Sequence, residues 1–293
     1  MTRARPVLSV VVPTKGRPRY LERCLAALAA AEYAPQRFEV VVVDDSPGDE
    51  VQGVVSAAPR ALALRRVRPR HTGPSAARNA GAFGAHGKLV TFTDDDCEPS
   101  PGWLAALERA MRSNPGFAVG GRTLNGAPGD TAAASQAIVD AVHAGFARDP
   151  AVPRFFASYN VAFPAEDFRE LGGFDEAFRY AEDRELCERW VRSGRRFVYA
   201  PDAIVVHMRT LTLREFWGQH YGYGRGAWAF RREQQGQAGP AADSRAVLRA
   251  VGRAMRESIA DRRLGMAGCL ALSQLATASG FLREAATRGA SRG

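Results

Sequence analysis

Lysine is almost missing from this chain: of its 40 basic residues only Lys15 and Lys88 are lysines, and the rest are arginines. A coding bias produces that ratio as readily as phosphate recognition does, so the arginines assign no function by themselves. The four cysteines, Cys24, Cys97, Cys187 and Cys269, are widely spaced and form no CxxC pair. That excludes a paired-thiolate zinc site and a disulfide framework, and it fits a reducing cytosol. No GxSxG, HExxH or P-loop pattern occurs, so the signatures of nucleophile-elbow hydrolases, zinc peptidases and P-loop nucleotidases are absent. The first apolar run, VLSVVV, is short, stops at Pro13 and lacks a small-residue cleavage site; it is expected to be a first strand and not a signal peptide.

What is present describes a globular chain with a full core: 293 residues, 46% hydrophobic and 24% charged. The net charge of +9 is unevenly placed. Residues 1–208 carry 26 basic against 25 acidic side chains, whereas 209–293 carry 14 against 6, so an anionic partner would sit at the tail. Nucleic acid is not the expected partner, because no recognition motif or aromatic stacking pattern accompanies the arginines.

Short β-rich runs at Val7 to Val12, Phe38 to Val43, Leu62 to Val67 and Leu89 to Thr93 alternate with helical patterns, the first with Leu21, Leu25 and Leu28 on one face. This is an α/β order, and it predicts a mostly parallel sheet with helices on both faces. Ligands of such sheets bind beyond the carboxyl ends of the strands, which here carry Pro13-Thr14-Lys15-Gly16-Arg17, Asp44-Asp45-Ser46 and Asp94-Asp95-Asp96. Farther on, 155–164 reads as a strand, 181–194 as a helix ended by Gly194, and 196–208 as another strand. The polar stretch 233–244 is the expected hinge before two helices at about 245–262 and 264–284.

Three carboxylates in a row need explaining. If extended, Asp94 and Asp96 face one side, about 7 Å apart, and can take a hard cation such as Mg²⁺ or Mn²⁺ directly or through water. A solvated turn complementing the dipole of the helix that starts near Pro101 is the alternative. Glu182-Asp183 opens a helix, where acids are ordinary dipole complements. Asp183, however, shares a face with Leu186, Cys187 and Trp190, while Glu185, Glu188 and Arg192 are expected to point elsewhere. An acid aimed inward acquires the raised pKa of a useful general base. His207 alone reads first as a core histidine. YGYGRG at 221–226 is a glycine pattern inside a helical aromatic stretch, and so not a dinucleotide loop.

Together, VVVPTKGRPRYLERCL, VVVDDSPGDE, TGPSAARNAGAFGAHGKLVTFTDDDCEPSPGWL, GGFDEAFRYAEDRELCERWVRSG and VVHM resemble the family 2 glycosyltransferases, from about Val7 to Trp228. The resemblance implies a GT-A (nucleotide-diphospho-sugar transferase-like) catalytic domain over 1–232, with a nucleotide-binding half to about residue 100 and an acceptor half to 232. The 233–244 hinge and a helical basic tail at 245–293 would follow. It implies an inverting enzyme with a nucleoside diphosphate sugar donor, leaning to uridine, and an acceptor hydroxyl. Under it Asp45 resembles the base-recognising residue, and Pro13, Thr14, Arg17, Arg78 and Asp95 belong with the nucleotide-sugar. Asp94 and Asp96 resemble the DxD metal motif for Mg²⁺ or Mn²⁺, His207 an additional metal ligand, and Asp183 the catalytic base. Ser158, Tyr159 and Asn160 are placed on the acceptor side. The QxxRW motif of processive members is absent, with QHYGYGRGAW in its place, which argues for transfer of one sugar.

Residues 264–282 are moderately apolar and flanked by arginines. A helix packed on the catalytic domain, or lying on a membrane surface, is expected over a spanning one. Such a tail suits a lipid-linked acceptor or a cell-envelope polysaccharide precursor at the cytoplasmic face of the membrane. The alternatives are a sugar nucleotidyltransferase, for which VVPTKGRPR is a poor phosphate loop, and a sugar-nucleotide-binding protein without catalysis.

Overall fold

The structure, a computed structural model, describes residues 5–146, 153–234 and 244–289. The expected hinge at 233–244 therefore lies mostly outside the described residues.

The first strands are β1 (Leu8–Thr14) and β2 (Phe38–Asp44), followed by β3 (Leu64–Val67) and β4 (Leu89–Phe92). LSVVVPT and FEVVVVD are apolar nearly throughout because both faces of these strands are covered. Alternation divides them cleanly: Val11, Val41 and Val43 enter one core with Phe92, Phe163 and Trp190, whereas Val10, Val12, Val40 and Val42 enter another with Leu21, Leu25 and Trp103. β3, β2, β1 and β4 are parallel neighbours.

The sheet continues through β7 (Val161–Pro164), antiparallel to β4, then β6 (Ala118–Asn125), β8 (Phe197–His207) and β5 (Cys97–Pro99), giving eight strands in the order β3-β2-β1-β4-β7-β6-β8-β5. β8 runs parallel to β6, and β5 pairs antiparallel with β8. Helices α1 (Pro18–Ala29), α2 (Gln52–Ala57) and α3 (Pro74–Phe83) connect the first strands, and α4 (Trp103–Ser113) links β5 to β6. Pro18 and Pro74 open α1 and α3, where proline's fixed φ suits a helix start.

The strand expected over 155–164 is shortened to Val161–Pro164. Ahead of it the chain turns, with Asn160 N bonded to Ala157 O. The Asn160 side chain accepts from Trp103 Nε1 at 2.9 Å and donates to Arg122 O and Ala203 O. Its buried amide is thus committed to structure, so of the three residues placed on the acceptor side only Ser158 and Tyr159 face the cavity described below.

Beyond these lie α5 (Asp130–Phe146), α6 (Ala165–Glu170), α7 (Glu182–Arg192), α8 (Leu213–Glu233), α9 (Ser244–Ala260) and α10 (Leu264–Gly289). α9 and α10 pack back against α5 and α8 around Ala134, Phe216, Val251, Met266 and Leu270. The YGYGRG glycines are contact points. A Cβ on Gly224 would lie 2.0 Å from Thr277 O, and one on Gly280 2.0 Å from Tyr221 O, so α8 and α10 touch backbone to backbone. By length and composition α10 could cross a membrane, yet 39% of its apolar window is buried within the fold.

Candidate active site

The carboxyl ends of β1 and β2 and the turn after β4 meet at one rim. Asp45 N donates to Thr14 O at 2.9 Å, and Thr93 N to Val11 O at 3.2 Å. The acid triplet is a turn and not an extended segment, with Cys97 N bonded to Asp94 O. Its three side chains nonetheless part company. Asp94 and Asp96 line a cavity of about 360 Å³, while Asp95, 1% exposed, turns back into the protein.

Arginine balances the triplet. Arg17 donates from Nη1 to Asp96 Oδ2 at 2.7 Å and from Nε to Asp95 Oδ2 at 3.1 Å, and Thr14 Oγ1 donates to Asp95 Oδ2 at 2.6 Å. Burial pushes Asp95 up to about 7 in spite of Arg17. Arg78, on α3, donates to Asp94 Oδ1 at 2.7 Å and to Glu182 Oε1 at 3.1 Å. Burial opposes its charge, but Asp94 and Glu182 outweigh burial and hold it protonated. Asp45 lies beside this group on the rim, paired with Lys15 at 3.0 Å and accepting from Gly73 N at 3.2 Å. Gly73 has φ +126°, a conformation that side chains disfavour, and it starts α3. Pro13 pairs with Val43 within the sheet, next to Thr14.

His207 ends β8 opposite Cys97. Its Nε2 is 3.5 Å from Asp96 Oδ1, and its ring stacks on Tyr159. Asp96, Cys97 and His207 offer ligand atoms within 4.8 Å of one another. The carboxylate oxygen suits Mg²⁺ or Mn²⁺ and the imidazole nitrogen leans the pair toward Mn²⁺, whereas the soft sulfur of Cys97 is a poor ligand for either ion. Asp94 lines the same cavity but is held by Arg78. Arg209, 3.9 Å from Asp96 Oδ2, also faces this group. It stands two residues beyond His207, and the two-residue repeat of an extended chain was the signal that could have placed it there.

Asp183 lines the cavity from the first turn of α7. Burial raises its pKa, and burial and then Asp183 push Glu182 up to about 7. Glu185 and Glu188 do not point away as the helical pattern suggests. Both are buried, Glu185 clasped by Arg189 at 2.6 Å and Glu188 facing Arg154 at 3.4 Å. The entry to α7 is strained: Ala181 has φ +64°, in the left-handed region that a side chain disfavours. Tyr180 before it packs into α8, since a Cβ on Gly222 would lie 2.3 Å from its ring and one on Gly226 2.7 Å from its carbonyl oxygen.

Sequence reasoning passed over His220 and Tyr223, which line the cavity from α8. The signal was a stripe, Phe216, His220, Tyr223, Ala227 and Phe230, at alternating spacings of four and three.

The glycosyl transferase family 2 model matches residues 9–170. The chain is 28% identical over 222 residues to the pre-mycofactocin glycosyltransferase of Mycobacterium tuberculosis, covering 74% of this chain and 46% of that protein. It is 31% identical over 216 residues to the validoxylamine A glucosyltransferase of Streptomyces hygroscopicus subsp. limoneus, covering 63% and 48%. The chain thus spans about half the length of the curated relatives it matches. Among solved structures it resembles the mannosyltransferase PcManGT from Pyrobaculum calidifontis in complex with GDP-Man and Mn²⁺, at TM-score 0.65 and 21% identity over 97% of this chain and 87% of that one. It also resembles S. aureus TarS 1–349 in complex with UDP-GlcNAc, at TM-score 0.57 and 16% identity over 97% and 92%. These neighbours share the GT-A fold.

Proposed function

The chain belongs to glycosyl transferase family 2, and on that premise we propose that it moves one sugar from a nucleoside diphosphate sugar to an acceptor hydroxyl, with inversion at the anomeric carbon. The observation that carries this reading is the cavity in which Asp94, Asp96 and His207 stand with Asp183 and the guanidinium groups of Arg17 and Arg78. Family membership sets aside the nucleotidyltransferase alternative.

The donor lies along the strand ends. Asp45 takes the base, and Pro13 and Thr14 border the ribose. Asp95 holds Thr14 and Arg17 in place from behind. Arg17, clasped by Asp95 and Asp96, places its positive charge on the cavity wall beside the diphosphate. Arg78 is almost fully buried with both Nη groups engaged, so it fixes Asp94 relative to α7. Asp96 and His207, with Asp94, would hold Mg²⁺ or Mn²⁺, a choice favoured by the Mn²⁺ bound in the Pyrobaculum neighbour. The ion supplies Lewis-acid neutralisation of the departing diphosphate.

Asp183 takes the proton from the attacking hydroxyl. Burial raises its pKa, which makes it a better proton acceptor than an exposed carboxylate. One base and displacement from the opposite face invert the anomeric centre. The acceptor is a lipid-linked molecule or a cell-envelope precursor, met at the cytoplasmic face of a membrane. Exposed Leu248, Ile259, Leu264, Leu275 and Leu282 on α9 and α10 supply the apolar contact, among a surplus of arginines.

The test is calorimetric titration of UDP and GDP, with and without Mn²⁺, into the protein and into Asp96→Ala. Mn²⁺-dependent binding of one nucleotide that is lost in the variant supports the reading. A nucleotide bound equally well without Mn²⁺ removes the ion from it, and no binding of either nucleotide counts against the donor site.

A further inference from the structure

A second, larger cavity adjoins the one that contains Asp183. Its volume is about 830 Å³, and it lies among α5, α8, α9 and α10, walled by Val142, Phe146, Phe230, Val251 and Phe281. Ile138, Val142, Arg184, His220 and Tyr223 line both cavities, so the two meet beside the first turn of α7. The size falls in the range of about 300–1,000 Å³ typical of small-molecule sites.

Three features describe what would fit. The walls are chiefly apolar, so the occupant gains from burying hydrocarbon. Among the described residues no carboxylate lines the cavity. Its charged groups are Arg184 and Arg231, whose guanidinium groups lie over the Phe146 and Phe281 rings at 5.7 and 5.8 Å. A neutral or anionic occupant is therefore accepted and a cationic one disfavoured. Finally, His220 is 2% exposed and its Nε2 has no hydrogen-bond partner, although buried polar atoms normally find one. Burial pushes its pKa down to about 4, so at neutral pH it is an uncharged imidazole able to bond a hydroxyl or ether oxygen.

We propose that this chamber receives the apolar body of the acceptor, an amphiphilic alcohol. Its hydrocarbon lies between α5, α8, α9 and α10, its polar junction bonds His220, and its hydroxyl reaches Asp183. The inference rests on the transferase reading only in taking the Asp183 cavity as the reaction site. A wholly polar acceptor would leave Phe146, Phe230 and Phe281 wet and would not need the larger volume.

The test uses methyl, butyl, hexyl and octyl β-D-glucosides, each below its micelle concentration, titrated into the full chain in parallel with UDP and GDP. Octyl glucoside is expected to bind at least tenfold more tightly than methyl glucoside. Ala227→Phe and Ala278→Trp fill the chamber from α8 and α10 without lining the Asp183 cavity. Each should erase that increment while leaving nucleotide affinity and melting temperature unchanged. Equal affinity across the series, or an increment retained in both variants, overturns the proposal. An intact alkyl increment without any nucleotide binding supports the chamber and counts against the donor reading alone.

Discussion

Arg78 and Glu182 are joined across 104 positions of sequence by a 3.1 Å hydrogen bond, and the other arm of the same guanidinium holds Asp94 at 2.7 Å. One buried cation therefore sets the distance between the acid triplet and the helix that carries Asp183. Lysine cannot span both carboxylates with a planar fork. Arg78→Lys is expected to retain the fold with a lowered melting temperature and to lose about 100-fold in transfer rate. Arg78→Ala, which strands two carboxylates, should cost on the order of 3–5 kcal/mol of stability. Thermal melts and initial-rate assays on both variants check this.

Asp183→Asn tests the base. Removing a general base costs on the order of 10²–10⁴ in rate, and the amide keeps the shape of the carboxylate. Transfer should fall by that factor with nucleotide affinity unchanged. In the parent the rate should rise with pH along an acid limb whose midpoint lies above the ordinary carboxylate value of about 4, because burial raises Asp183. A midpoint at or below 4 would contradict the assignment.

Stability should follow a related pH dependence. Asp95 and Glu182 are both raised to about 7 in the fold, burial being the main cause. A group whose pKa is raised on folding contributes stability that is fully present below its unfolded value, near 4, and is lost as pH rises through the folded one. The ligand-free protein is therefore expected to melt lower at pH 8 than at pH 5. Glu182→Gln should flatten part of that slope in melts recorded across this window.

The metal set is separable by two substitutions. His207→Ala should weaken Mn²⁺-dependent nucleotide binding by at least tenfold. Cys97→Ala should leave it unchanged, because a soft sulfur is a poor ligand for a hard ion such as Mn²⁺. Calorimetry with Mn²⁺ distinguishes them, and a loss in Cys97→Ala alone would reverse the assignment.

Gly226→Ala tests how α8 positions the base. The added methyl would lie 2.7 Å from Tyr180 O, displacing the segment just before Ala181 and Asp183. A drop of at least tenfold in the transfer rate with unaltered nucleotide affinity is expected. Rate and affinity falling together would show a general loss of structure instead.

The first half of the sheet was legible because its signals are local. VLSVVV and FEVVVV read as buried strands through continuous apolarity, and the position of Thr14, Asp45 and Asp94 at the rim followed from strand ends. That Asp183 lies on an inward face was legible because Leu186 and Trp190 mark that face. The same periodicity misjudged Glu185 and Glu188, since arginines distant in sequence or one turn away neutralise them under cover, which a helical wheel cannot register. Asn160 was misread for a similar reason: its partners Trp103, Arg122 and Ala203 come from three other segments. The helical setting of the YGYGRG glycines was legible, but that they seat Tyr180 and α10 depends on backbone approach between helices, and no single stretch encodes it.

The contact of Gly224 with Thr277 and of Gly280 with Tyr221, secured by the 2.6 Å bond from Arg225 to Glu284, has a consequence for the order of assembly. Strands β1 to β4 can pair with one another early in synthesis, because these four neighbours lie close in sequence. Tyr180 rests on α8, and α8 is clamped by residues of α10 that lie about a hundred positions beyond Tyr180. At roughly 5–20 residues per second of translation, the strand ends would be ready several seconds before the loop leading to Asp183 could be locked. The nascent chain would therefore order the strand-end rim before it fixes the entry to α7.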